Sequence, residues 1–167
     1  EGEMLVHDHL RGEPMALRDL PAEARERLGA CLEAVHRAVR PGYMVWPSLE
    51  VRQGTRADAY RARAEVLTRF RGAREGYAEI DARVAALRAA ELPAAADRVA
   101  TVFSLLHGDL SAGNILWDEG KPTLIDWEFA RDGDPAEDLA YLTSEAGLDP
   151  EHVADVAEGY VAARGEA

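Results

Sequence analysis

Residues 107–126 constrain the chain more than any other stretch. They run His107-Gly108-Asp109-Leu110-Ser111-Ala112-Gly113-Asn114, then Ile115-Leu116-Trp117, Asp118-Glu119-Gly120-Lys121, Thr123-Leu124-Ile125 and Asp126. Two short apolar runs around a polar, glycine-containing loop predict a β-hairpin. A hairpin brings its outer ends together. Asn114 and Asp126 should therefore lie side by side, with Asp109 nearby.

Around this hairpin the pattern is mostly helical. Met4-Leu5-Val6 reads as the end of a strand, and Arg11-Gly12-Glu13-Pro14 as a turn. A strand there needs neighbours, which implies sequence upstream. Pro21 opens a helix with Asp19 as its cap; Leu28, Cys31, Leu32, Val35 and Val39 form its apolar face, and Arg40-Pro41-Gly42 ends it. Residues 43–56 read as a loop. Tyr60, Ala64, Leu67 and Phe70, then Ile80, Val84 and Leu87, mark two further helical faces. Another helix is expected over about 95–103. Asp134-Pro135 starts a helix through Leu142, and Asp149-Pro150 a last one with Val153, Val156 and Tyr160 inward. The expected class is α+β, mostly helical, with a small hairpin in its middle.

Asp109, Asn114 and Asp126 suit phosphoryl transfer. Magnesium takes oxygen ligands and keeps several waters, so one carboxylate and one amide suffice beside nucleotide phosphates. A separate carboxylate must stand ready for the proton of the acceptor hydroxyl. The spacing His107-x-Asp109-Leu110-x-x-x-Asn114, with a later Asp, matches the catalytic-loop pattern of kinases. Any one of these residues alone is more often structural: a turn cap, a loop closure, a strand end. Their combination across a hairpin favours the chemical reading. His107 is expected to buttress the loop rather than to react.

The segment Leu106–Leu142, LHGDLSAGNILWDEGKPTLIDWEFARDGDPAEDLAYL, closely resembles the aminoglycoside phosphotransferase and choline kinase-like family. A weaker resemblance reaches back to about Leu5. It implies the C-terminal lobe of a protein-kinase-like fold, with the hairpin carrying the metal site and the N-terminal lobe missing from this chain. Residues 1–14 would hold the end of an N-lobe strand and the interlobe hinge, with Val6, His7, Asp8 and His9 as the nucleotide hinge. Residues 15–167 would form the catalytic lobe, truncated at both ends. By this resemblance Asp109 is the catalytic base, Asn114 and Asp126 are magnesium ligands, and Asp138 braces the catalytic loop. Read from the residues alone, Asp138 is only an acid in a helix's first turns, favourable to the helix dipole.

Ser111 stands where protein kinases carry a lysine. Trp127-Glu128 stand where Phe-Gly would follow the metal-binding Asp, and no Ala-Pro-Glu occurs downstream. These departures suit small-molecule kinases. The resemblance thus implies transfer of the γ-phosphate of ATP or GTP to a hydroxyl of an aminoglycoside-like molecule, amino alcohol or sugar, with Mg2+ and nucleotide bound. No glycine-rich phosphate loop or strand lysine precedes the hinge; the only lysine is Lys121, in the hairpin loop. Without those parts, which position the phosphates, a non-catalytic nucleotide- or partner-binding lobe is the alternative. A metal-dependent hydrolase fits less well, having too few ligands. Glu128, Asp132 and Glu137 are expected either to attract an amino-bearing acceptor or to be solvated surface acids. Trp46, Tyr60 and Tyr77 are expected to pack rather than line a cleft.

Composition excludes several classes. The net charge of −12 disfavours nucleic acid, which needs clustered Lys and Arg. No apolar run is long enough for a membrane span, and no signal pattern opens the chain, so a cytoplasmic protein is expected. A single cysteine, Cys31, excludes an internal disulfide and reads as a buried hydrophobe. His7, His9, His36 and His152 lack zinc-ligand spacing.

Overall fold

The structure, a computed structural model, describes residues 10–45, 48–71, 102–144 and 147–165. Among them are four α-helices: α1 (Ala22–His36), α2 (Arg56–Arg71), α3 (Pro135–Ser144) and α4 (Pro150–Gly165). The strands are β1 (Glu13–Pro14), β2 (Val39–Arg40), β3 (Tyr43–Val45), β4 (Glu50–Arg52), β5 (Phe103–Leu106), β6 (Ile115–Asp118), β7 (Lys121–Leu124) and β8 (Arg131–Gly133). None of the described helices is long and apolar enough to cross a membrane. The chain divides into two compact units. Among the described residues, one takes 10–34, 109–129 and 139–165, and the other takes 35–71, 102–108 and 130–138.

The first unit holds the antiparallel sheet β1-β6-β7. Ile115 pairs with Leu124 and Asp118 with Lys121, so the predicted hairpin closes on Glu119-Gly120. Both turn residues have positive φ, +48° and +73°. That is the type I′ conformation, whose twist matches the strands. Ile115, Trp117 and Leu124 point inward to join Leu17, Leu28, Leu32, Leu110, Leu142 and Val156 in the core. Helices α1 and α4 meet at glycines. A Cβ on Gly29 would lie 1.9 Å from the Val156 carbonyl oxygen, and one on Gly159 1.9 Å from that of Glu26. Beside this crossing the buried Arg25 pairs with Asp155 at 2.7 Å and donates to the Leu20 carbonyl. Cys31 is half-buried rather than buried, and desolvation pushes its thiol pKa up.

The second unit holds the antiparallel sheet β2-β5-β8 and the hairpin β3-β4. Tyr43, Ala59, Ala62 and Phe103 pack together, with the Tyr43 and Phe103 rings 5.4 Å apart. Helix α2 starts in a reciprocal cap. The Thr55 hydroxyl accepts from the Asp58 amide, and Asp58 accepts from the Thr55 amide, satisfying two donors at the helix end.

Several sequence expectations need correction. Glu13–Pro14 is a strand rather than a turn; it pairs with Trp117 and Leu116 as an edge strand, where a proline is tolerated. Val39 is not on a helix face: α1 stops at His36, and Val39 is 69% exposed in β2. The expected loop contains two paired strands, Tyr43–Val45 and Glu50–Arg52, and Arg56 already starts α2; residues 46–47 lie outside the described residues. Phe103 begins a strand, not the end of a helix, because it pairs with Arg40; residues 95–101 lie outside the described residues. So do Ile80, Val84 and Leu87.

Candidate active site

Asn114 anchors the loop that precedes the hairpin. Residues Ala112–Asn114 form a short 3-10 turn, closed by the Asn114 amide on the Ser111 carbonyl at 3.0 Å. The Asn114 side chain turns back. Its Nδ2 donates to the Asp109 carbonyl oxygen and to Asp109 Oδ2, each at 2.9 Å. Both amide hydrogens are thereby committed, so Oδ1 is the atom of Asn114 left to meet a ligand.

The hairpin ladder continues one pair further, with the Ile125 amide on the Asn114 carbonyl at 3.0 Å. Asp126 follows at once. Its φ is +61°, a left-handed conformation that Asp tolerates better than most residues. This turns the chain out of the strand and into the 3-10 turn Trp127–Phe129, with Asp126 exposed. The Trp127 ring is fixed by Nε1 on the Leu124 carbonyl at 3.1 Å. Glu128 is exposed on the same turn.

The residues just before Asp109 belong to a second cluster, in the other unit. Asp138 is 1% exposed. Its Oδ2 accepts from the His107 amide at 2.8 Å and its Oδ1 from the Gly108 amide at 2.9 Å. His36 Nε2 lies 3.1 Å from Oδ2. Burial pushes the Asp138 pKa up. The hydrogen bonds from His36 and from the Gly108 and His107 amides outweigh it, so the carboxyl sits below its ordinary range. The side chain of His107 is buried, like that of His36.

The α3 N-terminus completes this cluster. Asp134 caps it, accepting from the Ala136 amide at 3.1 Å, while Glu137 Oε1 reaches the Asp134 amide at 3.4 Å. Asp134 also accepts from the Tyr60 hydroxyl at 3.0 Å and pairs with Arg56. Asp132 pairs with Arg40 at 3.2 Å and Glu137 with Arg131 at 3.0 Å. Of the three acids expected either to attract an amino-bearing acceptor or to be solvated, Asp132 and Glu137 hold guanidinium partners, and Glu128 is exposed. Val6, His7, Asp8, His9, Trp46 and Tyr77 lie outside the described residues. Among those described, no group of three or more His, Cys, Asp or Glu is arranged to hold a metal ion.

Sequence reasoning missed His36 and Arg131. The signal for His36 was weak but present. It closes the apolar face of α1, and a buried polar ring there must find a partner. Nothing local pointed to Asp138, 102 residues away.

The model of the phosphotransferase enzyme family, APH, matches residues 1–167. No curated sequence matches. Among solved structures, macrolide 2′-phosphotransferase MphH from Brachybacterium faecium is 18% identical with a TM-score of 0.66, covering 93% of this chain and 53% of that one. Plasmodium vivax ethanolamine kinase is 16% identical with a TM-score of 0.60, covering 93% and 49%. A thermostable mutant of aminoglycoside phosphotransferase APH(4)-Ia, in ternary complex with ADP and hygromycin B, is 24% identical with a TM-score of 0.56, covering 93% and 55%. At these identities the likeness is one of fold. The chain spans about half the length of the structures it matches. On the match over its full length, the chain belongs to the APH phosphotransferase enzyme family.

Proposed function

We propose that this chain is the C-terminal catalytic lobe, residues 15–167 with a hinge in 1–14, of a magnesium-dependent small-molecule kinase. It transfers the γ-phosphate of ATP or GTP to a hydroxyl of an amino alcohol, a sugar or an aminoglycoside-like acceptor. The observation that carries the reading is the Asn114 amide donating twice to Asp109. It ties down the Asp109 carboxylate through Nδ2 and leaves Oδ1 of Asn114 as the atom for a ligand, separating a proton acceptor from a metal ligand.

The donor set fits magnesium: Oδ1 of Asn114 and the exposed carboxylate of Asp126 are hard oxygen ligands. With so few protein ligands, phosphate oxygens and water would complete the shell. The ion, when bound, supplies neutralisation of the phosphate charge. Asp109 orients the acceptor hydroxyl. A bond forms between that oxygen and the γ-phosphorus while the bond to the β-phosphate bridging oxygen breaks. The hydroxyl proton passes to the Asp109 carboxylate, and the nucleoside diphosphate leaves. Glu128 offers an exposed negative charge for an amino-bearing acceptor, whereas Asp132 is paired with Arg40.

The test is turnover by the full-length protein over a panel of hydroxyl acceptors with ATP and GTP. Asp109→Ala should lower kcat by about 10²–10⁴-fold, the usual contribution of a positioned base, with nucleotide affinity nearly unchanged. Turnover near the wild-type rate in that variant would overturn the mechanism.

A further inference from the structure

We infer that Arg131 is a positioning residue for the Asp109 carboxylate, acting through the peptide bond between Gly108 and Asp109. Gly108 has a φ of +84°, a conformation that glycine adopts freely and leaves as freely. Something outside the glycine must therefore set the direction of that peptide. Two groups hold Gly108 from opposite ends, and only the second acts on that peptide. Its N–H donates to Asp138 Oδ1 at 2.9 Å, and its carbonyl accepts from Arg131 Nη1 at 3.3 Å.

The carbonyl is the end that matters for Asp109. A peptide group is planar, so fixing the Gly108 C=O also fixes the Asp109 N–H. The Asp109 Cα then keeps only its own two dihedrals. The bonds of Asp138 to the Gly108 and His107 amides act one and two peptides earlier and cannot supply this constraint.

Arg131 is itself well held. Its side chain is 11% exposed, and its Nη2 donates to Glu137 Oε2 at 3.0 Å. Glu137 Oε1 in turn reaches the Asp134 amide, inside the cap of α3. The Arg131 backbone pairs with Leu106 across β8 and β5. One planar guanidinium thus ties the Gly108 carbonyl to the first turn of α3, the same turn that presents Asp138. A rigid fork with divergent donors can serve both acceptors at once; a lysine ammonium on a flexible stem holds the pair less well.

The structural content of this inference stands on those contacts, and its consequence for turnover rests on the phosphotransfer reading. The experiment separates the two. Residue-resolved amide hydrogen exchange and steady-state kinetics would be measured on full-length wild type, Arg131→Ala and Arg131→Lys. In Arg131→Ala, exchange at His107, Gly108 and Asp109 should quicken about tenfold or more, as expected for loss of a charge-assisted hydrogen bond, while the Gly29–Gly159 helix crossing keeps its protection. The kcat should fall about tenfold with KM values within about twofold, since 1.4 kcal/mol of misplacement is tenfold in rate. Arg131→Lys should recover part of both; it also serves as the test if the alanine variant fails to fold. Unchanged exchange at 107–109, exchange that quickens across the whole chain in parallel, or quicker local exchange with unchanged kcat would each overturn the role. Absence of turnover in the wild type would instead sink the kinase reading, with the exchange pattern still deciding whether Arg131 holds the loop.

Discussion

Asp138 shows how much one residue can carry. It is buried, yet it stays a carboxylate because two amides and one imidazole point at it. Its folded pKa lies below the ordinary value, so the unfolded chain binds the proton more readily. The stabilisation is therefore complete above the normal aspartate range and is lost as pH falls through the folded pKa. Urea unfolding measured below about pH 4, where an unperturbed aspartate begins to titrate, should show wild-type stability declining. Asp138→Asn should lack that share of the slope and be weaker at neutral pH by about 1–3 kcal/mol, because an amide NH2 would face N–H donors. At this scale the sequence was informative where chemistry is local. Asp109 and Asn114 are five residues apart and meet through one turn; Asp126 follows from the hairpin. The partner of His36 could not be read because it lies across 102 residues, and the role of Arg131 because its contact to Gly108 spans 23.

Elements were legible in proportion to their length. The β6-β7 hairpin and helices α3 and α4 carry turn and cap residues that announce them. Val156 and Tyr160 are buried as the periodicity implied, and Val153 is half-buried. Strands β1, β2 and β8 have two, two and three residues. No alternation can be read over so short a run, and their partners impose the conformation. The start of α2 was also missed, although Thr55-Arg56-Ala57-Asp58 is a capping signature once seen. Thr55→Ala should cost about 1 kcal/mol, the usual loss of an N-cap, read as a lower denaturant midpoint at unchanged slope. No change in midpoint would mean that the α2 terminus is held by its packing instead.

At the scale of the whole molecule, α1 and α4 meet where neither helix has a side chain. Glycine within a helix normally costs about 1 kcal/mol relative to alanine, so a reader of sequence would replace Gly29 or Gly159 to gain stability. The crossing reverses that sign. Gly29→Ala and Gly159→Ala should each destabilise by about 1–3 kcal/mol, as overpacking does, because each Cβ would meet a backbone carbonyl that cannot swing aside. The double variant should cost less than the sum, since both separate the same pair of helices. Thermal unfolding of the three variants checks this; a rise in Tm for either single change would show that the crossing is looser than described.

That crossing also sets a clock on synthesis. Arg25 and Asp155 lie 130 residues apart, and a ribosome adds about 5–20 residues per second. The side of α1 that carries Arg25 and Gly29 must therefore wait roughly 7–26 s for α4 to emerge. During that interval the nascent chain presents a completed amphipathic helix with nothing to cover one side, which is the kind of surface that chaperones bind.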